Sequence, residues 1–408
     1  MSTDQAADNN TFSRPSEDLE QHINGLPLFD HHCHGVVDFE LDRTNFEALI
    51  SESSSPPTPG TTRFDSQIGF SIRAQCSPLL GLPPFSSPDE YIEARKAAGS
   101  EAVNRKFLEA SKISAYGVDT GHAGDMITSF QDFNVLTDNR CIEIVRLERT
   151  AEEVAERLRT QSPGQTIDHE VVDYYINQLD ETLESRINDS FGVKSIAAYR
   201  IGLDFDPSRP RVEDVKNATH RFLETEGQFR LSEPDLIRYL LWFAIDRQKV
   251  IQFHIGYGDD DVDLLRCNPL HLTTLLRQTI GSGAQFTLLH CYPFHREAGY
   301  LADVFPHVYF DVGLAINYTG ARSAAIIAES LETAPFGKIL FSTDAFGLPE
   351  LYYLGTALFR EGLTRALSQF HVHSGWPLEE CTRVADLIAT HNAARVYSFE
   401  PKPLLPIG

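Results

Sequence analysis

The sequence predicts an α/β fold of eight strand–helix units closed into a (β/α)8 TIM-type barrel, with an insertion after the first strand. Eight short apolar runs recur along the 408 residues, and most are separated by segments with helical spacing. No Gly-rich phosphate loop succeeds the first run, which favours a closed barrel over an open, doubly wound sheet.

Taken in order, residues 1–26 read as a polar segment with one short helix, "SEDLEQHING" (16–25), capped by Ser16 and ended by Gly25. The barrel is expected over 27–400 and a tail over 401–408. The first four strand runs are "PLFDHHCH" (27–34), "ISAYGVDTG" (113–121), "CIEIVRLE" (141–148) and "VKSIAAYR" (193–200). Then come "VIQFHIGYG" (250–258), "FTLLHCYPF" (286–294), "VYFDVGLAI" (308–316) and "ILFSTDAFG" (339–347). Helical spacing is clear in "TAEEVAERL" (150–158), "DYYINQLDETLESRI" (173–187), "SEPDLIRYLLWFAIDRQ" (232–248) and "LHLTTLLRQT" (270–279). About eighty residues separate the first two strands, so an insertion is expected over about 41–110, including "SESSSPPTPG" (51–60). Placed after a first barrel strand, it lies at the catalytic face and is a candidate cap.

Composition narrows the function. The chain carries 35 basic and 58 acidic residues, a net charge of −23, which argues against a nucleic-acid or anionic-membrane surface. Six cysteines without close pairs do not make a disulfide framework, and the first residues lack the basic start and apolar core of a signal peptide. No stretch approaches the roughly 20 apolar residues that span a bilayer. A cytoplasmic enzyme with a small-molecule substrate is the expectation, and a homo-oligomer stays open.

The chemistry concentrates at strand ends. Strand alternation places Asp30, His32 and His34 on one face, and His31 and Cys33 on the other, toward the surrounding helices. This HxH ends an apolar run, where a barrel strand delivers residues to its mouth. Three later runs end in further ligand types: His254 in "IQFHIG", His290 in "LLHCYP" and Asp344 in "FSTDAFG".

HxH on the first strand, His on the fifth and sixth and Asp on the eighth resemble the amidohydrolase superfamily of metal-dependent (β/α)8 hydrolases. The resemblance covers roughly residues 27–400, including the closing "HNAARVYSF" (391–399). "FDHHCHG" and "GVKSIAAYR" bring it nearest to the amidohydrolase-related branch found as the N-terminal half of nodulin/glutamine-synthetase-like (FluG-type) fusion proteins.

The resemblance implies hydrolysis of a C–N amide bond by water activated at a metal, with a γ-glutamyl or other amino-acid-derived amide as substrate. Neutral imidazoles and a carboxylate suit Zn²⁺, with Mn²⁺ or Fe²⁺ as alternatives. One ion on His32, His34, His254 and Asp344 is the first choice, and His290 keeps a second ion open. Asp344 is the candidate proton acceptor, and His290 would polarise the scissile carbonyl or orient the water. Binuclear relatives place a carboxylated lysine at the end of the fourth strand. Lys194 begins that run, however, and at about 3.3 Å per residue it would sit roughly 20 Å below the mouth, on the lower rim.

Arg146 and Glu148 are expected on one face at the end of the third strand, and Arg200 at the end of the fourth. They are candidates for holding a substrate carboxylate or for a structural ion pair. Tyr257, Arg73, Asp119, His122 and Tyr292 are further substrate candidates. The second HxH, His371 and His373, lacks a strand to aim it inward and reads as a surface connection. His391 and Asn392 read as closing the final helix, and Cys33 and Cys291 as packing residues. Two rivals stand beside hydrolysis: a decarboxylase or isomerase on the same site, and a barrel kept as a binding or assembly module.

Overall fold

Val, Ile, Leu and Phe dominate the strand runs, a composition that suits a sheet covered on both faces. The computed structural model describes residues 17–138 and 140–402; the expected N-cap Ser16 and most of the 401–408 tail lie outside them. Seven parallel strands pair in sequence order: β1 (Leu28–Cys33), β2 (Ile113–Asp119), β3 (Cys141–Arg146), β4 (Gly192–Ser195), β5 (Val250–His254), β6 (Gln285–Leu289) and β7 (Val308–Phe310).

Residues 339–347 take the eighth place without forming a regular strand. On one side, Leu340 N donates to Phe310 O at 2.9 Å. On the other, His31 N donates to Phe341 O at 3.1 Å, Asp344 N to His32 O at 3.1 Å and His34 N to Ala345 O at 2.9 Å. Asp344 at φ +49° and Gly347 at φ +71° interrupt the extended backbone, so the ladder closes the barrel in pieces. The result is the (β/α)8 architecture, with helices such as Leu147–Gln161, Pro234–Asp246 and Pro349–Ser374 packed outside it.

The barrel floor is an apolar plug. Phe29, Ala115, Ile142, Ile144, Val250, Tyr309 and Leu340 meet Val396 and Tyr397 of the final helix, Asn392–Tyr397. Asn392 anchors that helix by donating to the carbonyls of Phe336 and Ile339 at 2.7 and 2.9 Å.

Three placements differ from the sequence reading. β4 ends at Ser195, and residues Ala197–Arg200 form a helical turn, so Lys194 stands near the upper end of a four-residue strand. The helix Leu147–Gln161 begins directly after Arg146, which removes Glu148 from the β3 face. The β1–β2 register shifts between Asp30 and Cys33, so strict alternation fails there. His31 consequently lies inside the barrel above the plug, with Nε2 3.0 Å from Asp311 Oδ2 and Nδ1 3.0 Å from Tyr397 Oη.

Within the expected insertion, the helix Ser100–Ser111 packs on Pro349–Ser374 in the outer layer. Residues 39–54 contribute to the wall of a cavity at the barrel mouth. Ser54 Oγ donates to Asp260 Oδ1 at 2.7 Å, tying the insertion to the loop after β5.

Candidate metal centre

The cavity is about 660 Å³, and His34, His254, His290, Lys194 and Asp344 are among the residues that line it. Ligand atoms of His32, His34 and Asp344 all lie within 4.8 Å of one another. Asp344 Oδ1 is 3.1 Å from His32 Nε2 and 3.5 Å from His34 Nε2, while its Oδ2 is 3.5 Å from His290 Nδ1. Burial alone would raise the Asp344 carboxyl; the electrostatic influence of the three histidines around it, His290 first, outweighs burial and holds the group well below the usual carboxylate range.

Supporting residues fix the tautomer of His32. Its Nδ1–H donates to Gln252 Oε1 at 2.8 Å, leaving the Nε2 lone pair toward the site. Gln252 is itself held, donating to His31 O and Tyr397 Oη at 2.8 Å each. Burial, with the charge of Lys194 second, pushes His32 down to about 3 and keeps the imidazole neutral.

Asp311 braces the other wall. Its Oδ1 accepts from His290 N at 3.0 Å, Gly313 N at 2.7 Å and Ser342 Oγ at 2.7 Å. These bonds hold His290 at φ +71°, a left-handed conformation that a non-glycine residue adopts at a cost. Asp30 accepts from both N and Oγ1 of Thr343, pinning the residue before Asp344.

His254 stands beside the close group. Its ring centroid is 4.8 Å from that of His290, and Tyr199 Oη is 3.4 Å from its Nδ1. Gly258 leaves room there: a Cβ would lie 2.9 Å from His254 Nε2 and 2.2 Å from Tyr199 Oη.

The donor set fits a borderline divalent ion. Buried His34 Nδ1, His254 Nε2 and both ring nitrogens of His290 have no hydrogen-bond partner among the described residues. Neutral imidazoles with free lone pairs beside an ionised carboxylate are the donors that Zn²⁺ or a similar ion takes.

Lys194 belongs to this site and not to the lower rim. Its Nζ is 2.8 Å from His32 Nε2 and 3.4 Å from Asp119 Oδ2. Asp119 also holds Arg146, at 2.5 Å.

The remaining candidates separate clearly. Arg146, Arg200 and His122 line the cavity, and Arg200 is paired with Glu152 at 3.0 Å. Glu148 is a brace, accepting from Ser195 Oγ at 2.6 Å and Ile196 N at 3.1 Å, because its helix starts one residue too early to face the mouth. Arg73 is spent on the carbonyls of Ser86 and Phe85 at 2.7 and 2.9 Å, where it orders the insertion and does not reach the cavity. Tyr257 stands behind the wall, its ring 5.4 Å from that of Tyr318. His371 and His373 fall in the last turn of Pro349–Ser374, with His371 Nδ1 2.6 Å from Trp376 O. Cys33 and Cys291 are buried, with their thiols on the carbonyls of Gly117 and Leu288. Sequence reasoning missed Lys194, Gln252, Asp311, Tyr199 and, from the insertion, Glu52. Only the polar residue two before His254 gave any signal for Gln252.

Known proteins share parts of this sequence and its fold. The amidohydrolase family profile matches residues 204–399. Protein fluG of Emericella nidulans is 28% identical over 418 aligned positions, covering 94% of this chain and 47% of the relative, so the chain spans about half the length of that protein. A Lactobacillus casei protein provisionally named a metal-dependent hydrolase superposes with a TM-score of 0.79 at 26% identity, covering 93% of this chain and 97% of that one. The uronate isomerase of Bacillus halodurans shares the fold, with a TM-score of 0.64 at 14% identity over 94% of this chain and 96% of the isomerase. The barrel, the family profile and these relatives together support an amidohydrolase-superfamily protein related to Protein fluG.

Proposed function

We propose that this protein hydrolyses a C–N amide bond of a small molecule, with a γ-glutamyl or other amino-acid-derived amide as the substrate class. The observation that carries the reading is the convergence of His32, His34 and Asp344 ligand atoms within 4.8 Å of one another, with His34 and Asp344 on the wall of the cavity at the barrel mouth. One divalent ion, Zn²⁺ first, is assigned to those three residues with His254 as the fourth. When bound, such an ion polarises a carbonyl and brings the pKa of a water to about 7.

The chain's own residues supply the rest. Asp344, ionised and at the edge of the cluster, receives the proton of the attacking water and passes it to the leaving nitrogen. His290, held by Asp311, points a ring nitrogen toward Asp344 and is placed to orient the water or the scissile carbonyl. Gln252 keeps His32 in the tautomer that can act as a ligand. Lys194 and Arg146 neutralise Asp119 and give the β3–β4 side of the mouth a positive wall.

The test is Asp344→Asn in metal-loaded protein, assayed on a panel of small amides. Loss of turnover with unchanged folding supports the assigned role; retained turnover sinks it. Carbon dioxide release without incorporation of labelled water would replace hydrolysis by decarboxylation.

A further inference from the structure

Of His31, His32 and His34, His31 alone has no part in the proposed chemistry. It is fully buried, and both ring nitrogens are engaged: Nε2 is 3.0 Å from Asp311 Oδ2 and Nδ1 is 3.0 Å from Tyr397 Oη. Tyr397 is the last residue of the helix that plugs the barrel floor. Its hydroxyl oxygen also accepts from Gln252 Nε2 at 2.8 Å, and Gln252 Oε1 accepts from His32 Nδ1 at 2.8 Å. An unbroken chain of buried hydrogen bonds therefore joins Asp311, which braces His290, to the proposed ligand His32.

The direction of each bond follows from the ends of the chain. Asp311 Oδ1 takes three donors, His290 N, Gly313 N and Ser342 Oγ, which marks the group as an ionised carboxylate that only accepts. His31 presents Nε2–H to Oδ2, which leaves the lone pair of its neutral imidazole at Nδ1. The Tyr397 hydroxyl gives its single proton to that lone pair, so its oxygen is left to accept from Gln252. The same amide nitrogen faces His31 O at 2.8 Å, a carbonyl that only accepts. With its amino group held there, Gln252 turns Oε1 to His32 and calls for the proton on His32 Nδ1. Reversing one link sets two donors or two acceptors face to face in buried space, where an unmet polar group is costly.

We infer that Tyr397 is a positioning residue of the metal centre: through His31 and Gln252 its hydroxyl passes the polarity set by Asp311 across the barrel floor, and so holds His32 with its Nε2 lone pair toward the site. Tyr397 acts only through Gln252 and is not a catalytic residue. The inference goes beyond the hydrolytic reading and does not depend on it. It also gives the closing helix a second task besides sealing the floor.

Two variants of the full-length protein test it. Tyr397→Phe keeps the ring that packs on Phe29 and removes only the hydroxyl. Val396→Ala trims the same plug and leaves every bond of the chain in place. The tautomer of His32 is read in the metal-free protein by long-range proton–nitrogen correlation on histidine-labelled samples, its signal identified by loss in His32→Asn. Zn²⁺ affinity is read by competition with a chromogenic chelator. Wild type should show His32 protonated on Nδ1 alone. Tyr397→Phe should show a mixture of both tautomers and bind Zn²⁺ about tenfold more weakly, the lower end of what a lost supporting bond costs a metal ligand. Val396→Ala should lower the urea midpoint of the apo protein while both readouts stay at wild type, which a merely structural role for the plug would not produce. His32 protonated on Nδ1 alone in Tyr397→Phe, Zn²⁺ affinity there within about twofold of a Zn²⁺-binding wild type, or equal losses in Val396→Ala overturns the inference. A tautomer mixture in Tyr397→Phe when even wild type binds no Zn²⁺ supports it and sinks the metal assignment instead.

Discussion

Replacing Gln252 by Met keeps the length of the side chain and removes every hydrogen bond it makes. Three contacts of 2.8 Å disappear: from His32 Nδ1, to His31 O and to Tyr397 Oη. His32 and Gln252 are both fully buried, so water cannot replace the lost partners. Each stranded group costs about 1–3 kcal/mol, and the metal-free protein should unfold at correspondingly lower urea. The sharper effect is on the ligand. Without an acceptor at Nδ1, the tautomer with its proton on Nε2 becomes accessible, and that tautomer has no lone pair for an ion. Loss of such a supporting bond costs about 10–100-fold in metal affinity. Competition against a chromogenic chelator measures it directly, with urea unfolding of the apo form run in parallel. Metal affinity within about twofold of wild type, in a protein that is measurably destabilised, would refute the role given to Gln252.

Three further changes probe other parts of the site. Lys194→Met removes the ammonium that faces His32 Nε2 at 2.8 Å, so metal content should hold or rise; lost metal would make Lys194 itself a ligand. Glu52→Gln should alter the pH dependence of apo-protein stability. Burial, with the charges of Asp344 and Asp259 behind it and against the bond from Tyr318, raises Glu52 from 4.5 to about 7, so the folded state retains a proton that the unfolded state releases. Stability from this group is therefore present below about pH 4.5 and falls away up to about pH 7, by at most about 3 kcal/mol. The variant should match wild type in acid and exceed it above about pH 8; equal urea midpoints there would contradict this. His371→Ala and His373→Ala should change neither metal content nor turnover, since they lie at a helix end outside the barrel. Metal loss in either would contradict the surface assignment.

Much of the centre was legible because barrel geometry converts a linear pattern into a place. His34, His254, His290 and Asp344 each stand at the end of an apolar run, and a parallel strand buried on both faces delivers its terminal residues to one rim. The residues that escaped did so for local causes. "SIAAYR" suits either a strand or a helix, and only the turn Ala197–Arg200 raises Lys194 to the mouth and takes Arg200 off the strand. Leu147 opens a helix where alternation would continue a strand, which turned Glu148 from a candidate into a brace. His31 points inward because the β1 register is irregular, a feature set by pairing with β2 and the eighth segment and not by its own sequence. Glu52 lies in a Ser/Pro-rich stretch with no periodicity, so nothing local announced that it returns over the site.

Metal-dependent amide hydrolysis is tested most directly by one measurement on the full chain: release of amine from an amide panel before chelation, after chelation and after restoring Zn²⁺. Turnover that vanishes with the metal and returns with it, with one oxygen from labelled water in the acid product, is the predicted result. Turnover indifferent to chelation, or a product without that oxygen, contradicts it.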